Sequence, residues 1–184
     1  MKKKITLAVI CAILSCVCLI GTTFAWLTAE TAPIKNTFTV GDINITLEET
    51  TSTYKMVPGN DIAKDPKVTV KAGSEACWLF VKIEKSSNFN TYMTYEVDVT
   101  DGNWTLYSEA GNVAIYYREV AATDTDLPFE ILKGNKVSVL ESVTKDKLNE
   151  AKTDAPTLTF TAYAVQYHVD KIDTAAEAWA IANP

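Results

Sequence analysis

Ala76-Cys77-Trp78-Leu79-Phe80-Val81-Lys82-Ile83-Glu84 is the stretch on which the fold turns. Cys77, Leu79, Val81 and Ile83 recur at every second position, while Lys82 and Glu84 end the opposite side. Successive side chains of a strand point to opposite faces, so this period marks a half-buried strand with one face in a core and one wet. The pattern repeats along the chain. In Tyr92–Thr100, Met93, Tyr95, Val97 and Val99 alternate with Thr94, Glu96, Asp98 and Thr100. Val113–Val120 and Lys136–Ser142 are shorter runs of the same kind. Leu158–Val169 is the longest and is apolar on both faces over much of its length, which predicts a central strand.

Turn residues separate these runs: Pro58-Gly59-Asn60-Asp61, Asp65-Pro66, Ala72-Gly73-Ser74, Asp101-Gly102-Asn103, Gly111-Asn112 and Gly134-Asn135. Short strands at this spacing predict an all-β fold, a jelly-roll-like antiparallel β-sandwich. Two short helices are expected within it. One covers Lys145–Lys152 and the other Ala175–Ala182, where Thr174 and Glu177 have the spacing of a capping box.

The start of the chain has a different grammar. Met1-Lys2-Lys3-Lys4 is a basic head, and Ile5–Ile20 carries no charge. That apolar run is short for a spanning helix, which needs about 20 residues, and long for a signal-peptide core. Gly21-Thr22-Thr23-Phe24-Ala25 then supplies a helix breaker and two small residues, Thr23 and Ala25, at signal-peptidase spacing. Residues 1–25 therefore read as a signal peptide cleaved between Ala25 and Trp26, with membrane contact only as a precursor. Two alternatives stay open here. One is retention as an anchor, although no basic stop-transfer cluster follows. The other is acylation at Cys16, where Leu14 occupies a position that a lipobox gives to a small residue.

Cleavage would leave residues 26–36 as an N-terminal arm and 37–184 as the sandwich domain. Phe38 and Val40 share one parity, whereas Ile43, Ile45 and Leu47 share the other. Because a one-residue slip reverses the faces, Gly41-Asp42 is expected to be a bulge or bend. The arm itself is apolar at Trp26, Leu27 and Ile34, and Pro33 interrupts it. Burial of its apolar side chains and a new ladder would roughly offset the entropy of ordering it, so it should order only against a formed acceptor.

Charge and cysteines narrow the function. Of 17 basic residues, Lys2, Lys3 and Lys4 leave with the signal, so 14 face 23 acidic residues, a formal charge of −9. That balance argues against nucleic acid or anionic membrane as a partner. Cys11, Cys16 and Cys18 also leave, so Cys77 has no partner for an internal disulfide, and the fold must rest on its core. Cys77 is in phase with Leu79 and Val81, which points to a buried structural thiol.

No catalytic constellation is apparent, and neither a cofactor nor a metal is expected. His168 is the one histidine of the chain, which excludes a two-histidine zinc site and a His-Glu-x-x-His helix. Asp98, Asp101 and Asn103 around Gly102 could supply oxygens to calcium but lack EF-hand spacing, so a plain turn is favoured. Asp124 and Asp126 share that weakness, and Asp61 and Asp65 flank Lys64 in a loop.

Four stretches together resemble the TasA/camelysin family of exported proteins processed by the signal peptidase SipW. They are Gly21–Thr28, Asn36-Thr37-Phe38-Thr39-Val40-Gly41, Pro58-Gly59-Asn60-Asp61-Ile62-Ala63-Lys64-Asp65-Pro66-Lys67-Val68-Thr69-Val70, and Phe160-Thr161-Ala162-Tyr163-Ala164-Val165-Gln166. The resemblance implies a secreted structural subunit of extracellular biofilm matrix fibres. Its partners would be other copies of itself, a signal peptidase during export and an accessory matrix protein. It also implies donor-strand complementation, with Trp26, Leu27, Ile34, Phe38, Val40 and Gly41 forming the assembly arm. Camelysins are described as metallopeptidases, an activity for which this sequence offers no zinc-binding helix. The competing class is a secreted module that grips carbohydrate or a cell surface, with Trp104, Tyr107, Tyr116 and Tyr117 as the aromatics that would carry it.

Overall fold

The computed structural model describes residues 42–50, 54–167 and 172–182, all within the compact unit Val40–Pro184. The strand that decides the fold is β4, Cys77–Lys85. Cys77, Leu79, Val81 and Ile83 are fully buried on its inner face. The outer face is not the wet one expected: Trp78 and Phe80 are buried there, and only at its end do Lys82 and Glu84 pair, at 2.9 Å.

The other strands are β1 (Ile45–Glu48), β2 (Asp61–Ala63), β3 (Lys67–Val70), β5 (Met93–Thr94), β6 (Thr105–Ala110), β7 (Val113–Val120), β8 (Leu127–Glu130), β9 (Lys136–Val139) and β10 (Leu158–Gln166). They form three antiparallel sheets, ordered β10-β4-β7-β6, β1-β3-β8 and β2-β9-β5. The fold is the all-β antiparallel sandwich expected of the sequence. Its main core lies between the inner face of the four-stranded sheet and the two smaller sheets, through Val68 and Val70 of β3 and Val137 and Val139 of β9.

Helices α1 (Phe89–Tyr92), α2 (Lys145–Glu150) and α3 (Ala175–Ala182) punctuate the strands. The capping box forms as its spacing predicts. Thr174 Oγ1 accepts from Glu177 N at 3.3 Å, and Glu177 Oε2 accepts from Thr174 N at 3.0 Å. α3 covers a second aromatic cluster on the outer face of the four-stranded sheet, where Trp179 meets Phe80 and Tyr163.

Two further expectations need correction. Leu158–Val169 is not central among the described residues: β10 (Leu158–Gln166) ends its sheet there, and β4 and β7 occupy the middle. Its two apolar faces are explained by a core on each side. Phe160, Ala162 and Ala164 pack toward the main core, and Tyr163 and Val165 toward the aromatic cluster. The second correction concerns Tyr92–Thr100, of which Met93–Thr94 alone forms a ladder strand. Val97 makes a single bridge to Leu132, and Val99 is 55% exposed. The alternation survives as burial at Met93 and Val97, but the ladder stops after Thr94, where the segment opposite turns at Lys133–Asn135.

Candidate functional site

The four-stranded sheet has two outer strands, and the sequence builds them differently. β10 pairs with β4 without a register shift from Leu158↔Lys85 to Gln166↔Cys77. Its nine residues, LTFTAYAVQ, include no charge and no proline. Among the described residues its other side has no ladder partner. β6 is shorter, slips register between Leu106 and Ser108, and carries Glu109. A bulge and a charge are devices by which natural edges resist further pairing.

At the start of β10 an apolar groove of about 450 Å³ opens beside Met56, Ile62, Phe89, Met93, Val137 and Leu158. Lys64 stands at its rim, itself buried. Its Nζ lies 2.6 Å from Glu49 Oε1, 5.0 Å from the Tyr54 ring centre and 5.5 Å from that of Phe160. The Tyr54 hydroxyl donates to the same carboxylate at 2.6 Å. Burial first, and then that bond and the Glu49 charge, raise the Tyr54 phenol well above its ordinary value. A buried ammonium needs a partner, and here the carboxylate and two aromatic faces provide it. Lys64 of the Pro58–Val70 stretch, next to β2, thus joins Glu49 and Tyr54 to Phe160 of β10.

The remaining polar candidates are occupied by the fold. Asp61 accepts from Lys136 Nζ at 2.7 Å and Ser138 Oγ at 2.6 Å, tying β2 to β9. Asp65 accepts from the backbone N and the hydroxyl of Thr50. Asp126 accepts from Ala72 N at 2.9 Å and Lys71 Nζ at 3.0 Å. Asp98 Oδ1 accepts from Asp101 N at 3.0 Å, closing the turn expected there. Gly102 is obligatory in that turn, because a Cβ would lie 2.5 Å from the Asp98 carbonyl oxygen. Burial pushes the Cys77 thiol up to about 11, as befits an inert core cysteine.

The aromatics form no planar exposed row. Trp104 is core, its Nε1 donating to Glu130 O at 2.7 Å. Tyr107 and Tyr117 meet edge-on at 6.4 Å in the outer cluster, while Tyr116 turns to the inner face. Sequence reading missed Arg118, whose guanidinium lies 3.8 Å from the Phe129 ring centre and donates to Gly102 O at 2.6 Å. Neither contact has a signal in local spacing. Ala25, Trp26, Leu27, Ile34, Phe38, Val40 and Gly41 lie outside the described residues, as does His168.

A family profile described as camelysin metallo-endopeptidase matches residues 1–102, more than half of the chain. The chain belongs to the camelysin family. No curated protein and no solved structure matches it. The metal implied by the camelysin description does not fit the described residues, among which no group of three or more His, Cys, Asp or Glu could hold an ion. Asp61, Asp65, Asp98 and Asp126 already serve backbone and side-chain donors, so no hydrolytic step is derived for this camelysin-family chain. Among the described residues no helix is long and apolar enough to cross a membrane.

Proposed function

We propose that this chain is a secreted structural subunit of extracellular biofilm matrix fibres and polymerises by donor-strand complementation. The observation that supports this most is the outer side of β10, nine uncharged residues in unbroken register with no ladder partner among the described residues. Such an edge is a template for another strand, and main-chain hydrogen bonds along it would supply affinity without a catalytic group. The apolar groove at its start would take a side chain of the incoming segment. The donor is the arm of a neighbouring copy, residues 26–36 continuing through Phe38 and Val40, released when a SipW-type peptidase cuts after Ala25. While the signal remains, the arm is tethered to the membrane and cannot readily enter a neighbour's sheet.

Electron microscopy of purified protein beginning at Trp26, beside a chain beginning at Thr37, tests this reading. Fibres are expected from the first, and folded monomers with the same far-ultraviolet spectrum from the second. Fibres of equal yield from the chain beginning at Thr37 would overturn it. Secretion of a product beginning at another residue would correct the cleavage position.

A further inference from the structure

A second feature is lined by other residues than the β10 edge and its apolar groove. Where Tyr95–Thr100 leaves the ladder, a cleft of about 370 Å³ opens between that stretch and the inner side of β6 and β7. This volume lies within the roughly 300–1,000 Å³ of ordinary ligand sites. Its lining is unlike that of the apolar groove. Tyr95 and Tyr116 contribute half-buried rings, one from each layer, and Lys85, Glu96, Glu109 and Lys133 surround them. The Lys85 ammonium lies 5.9 Å from the Tyr95 ring centre, and Lys133 Nζ lies 3.0 Å from Glu96 Oε2. Burial, then the neighbouring Tyr116 and Glu109, push the Tyr95 phenol up to about 12, which keeps it a neutral hydrogen-bonding group. The exposed amide of Asn90 and hydroxyl of Thr100 complete the rim.

These groups select by subtraction. Two ammonium and two carboxylate groups balance in the lining, and Asp98 and Asp101 act on Lys133 from beside it, so the cleft offers an anion no net attraction. A peptide strand has no regular edge to extend, because β6 is bulged between Leu106 and Ser108. What remains is a dense set of donors and acceptors beside two aromatic surfaces. A ligand with many hydroxyls and apolar C–H faces matches both. Carboxylates accept from its hydroxyls, lysine and asparagine donate to them, and the phenol rings cover its C–H faces. We propose that this cleft binds a segment of neutral oligosaccharide.

The test uses the full secreted chain, held below the concentration at which fibres grow, titrated with neutral hexasaccharides of glucose, galactose and mannose, and with a hexauronate as the charged control. Backbone amide resonances of Tyr95, Val97, Glu109 and Tyr116 should shift saturably with at least one neutral hexasaccharide and hold in about 0.5 M salt, where exposed charge attraction is screened. Asn90→Ala and Glu109→Gln alter exposed side chains and should leave thermal stability unchanged. Each should weaken binding by about tenfold, the equivalent of one hydrogen bond to a charged or polar group. Tyr116→Phe, which keeps the ring, should bind more tightly than Tyr116→Ala, with folding of both checked by the same spectra. No saturable shift with any neutral hexasaccharide at about 10 mM would overturn the proposal. So would binding of the hexauronate alone, or binding that Asn90→Ala and Glu109→Gln leave unaltered. Fibre formation is scored separately, so either result stands apart from the assembly reading.

Discussion

Among the described residues, β6 and β10 border the same sheet, and they differ in nearly every property that governs whether a strand accepts another. β6 has six residues, a register slip and Glu109; β10 has nine residues, continuous register and no charge. One edge has devices that stop pairing, and the other lacks them within its own sequence. The difference teaches that edge protection is local in this fold: the two strands share β4 and β7 between them, yet neither inherits the other's behaviour.

The largest effect on stability is expected where β6 is anchored. Trp104 immediately precedes β6, is 2% exposed, donates to Glu130 O and lies under the Arg118 guanidinium at 5.7 Å. Trp104→Ala would leave a cavity and strip one cation of an aromatic neighbour. It should lower stability by about 3–5 kcal/mol, measured by urea unfolding. Should the loss stay near 1 kcal/mol, β6 would owe its place to the bulged ladder with β7 instead.

A smaller change in stability, with a large change in assembly, is expected at β10. Thr159 is exposed and lies opposite Glu84 of β4. Thr159→Lys gives β10 a charged residue, as β6 already has in Glu109, opposite the Glu84 carboxylate. Unfolding free energy should move by no more than about 0.5 kcal/mol, as for most surface substitutions. Fibre growth, followed by light scattering, should slow by about tenfold or more if the edge is the acceptor. Unchanged growth would place the acceptor elsewhere and remove the functional meaning of the comparison.

The legibility of the fold follows the same division. Period-two alternation identified β4 and β7 because each has one face in the main core, and Thr174 with Glu177 announced the start of α3. β10 was misplaced for a physical reason. A strand that is uncharged and apolar on both faces reads as central, but here α3 and the outer aromatic cluster bury the second face while the strand stays at the edge. The composition that signals a central strand is also that of an unprotected edge. Tyr92–Thr100 failed differently: its alternation was real as burial at Met93 and Val97, and the ladder stops after Thr94, where the segment opposite turns at Lys133–Asn135 before the Val97–Leu132 bridge. Lys64 with Glu49 and Arg118 with Phe129 join residues distant in sequence, so no local pattern announces them. The polar cleft was invisible for that reason too, since it exists because a predicted strand stops after Thr94.

The smallest expected effect is a rate that reports whether β10 opens. Cys77 begins β4 and stands opposite Gln166 at the end of β10, and no part of it is exposed. Burial holds its thiol at about 11, so at pH 8 almost none of it is the thiolate that reacts. The sign is simple: a raised thiol value means that the neutral form is favoured in the fold, and reactivity grows only with higher pH or with opening. Native protein at pH 8 should therefore react with an aromatic disulfide reagent far more slowly than the urea-unfolded chain. If Gln166 frays from Cys77 without global unfolding, the native rate should be independent of low urea concentrations. A rate that rises with urea along the global unfolding free energy would mean that β10 stays paired until the whole core is lost. In that case β10 is a rigid template whose outer side has no ladder partner among the described residues, and strand addition there would not begin with fraying of β10 from β4.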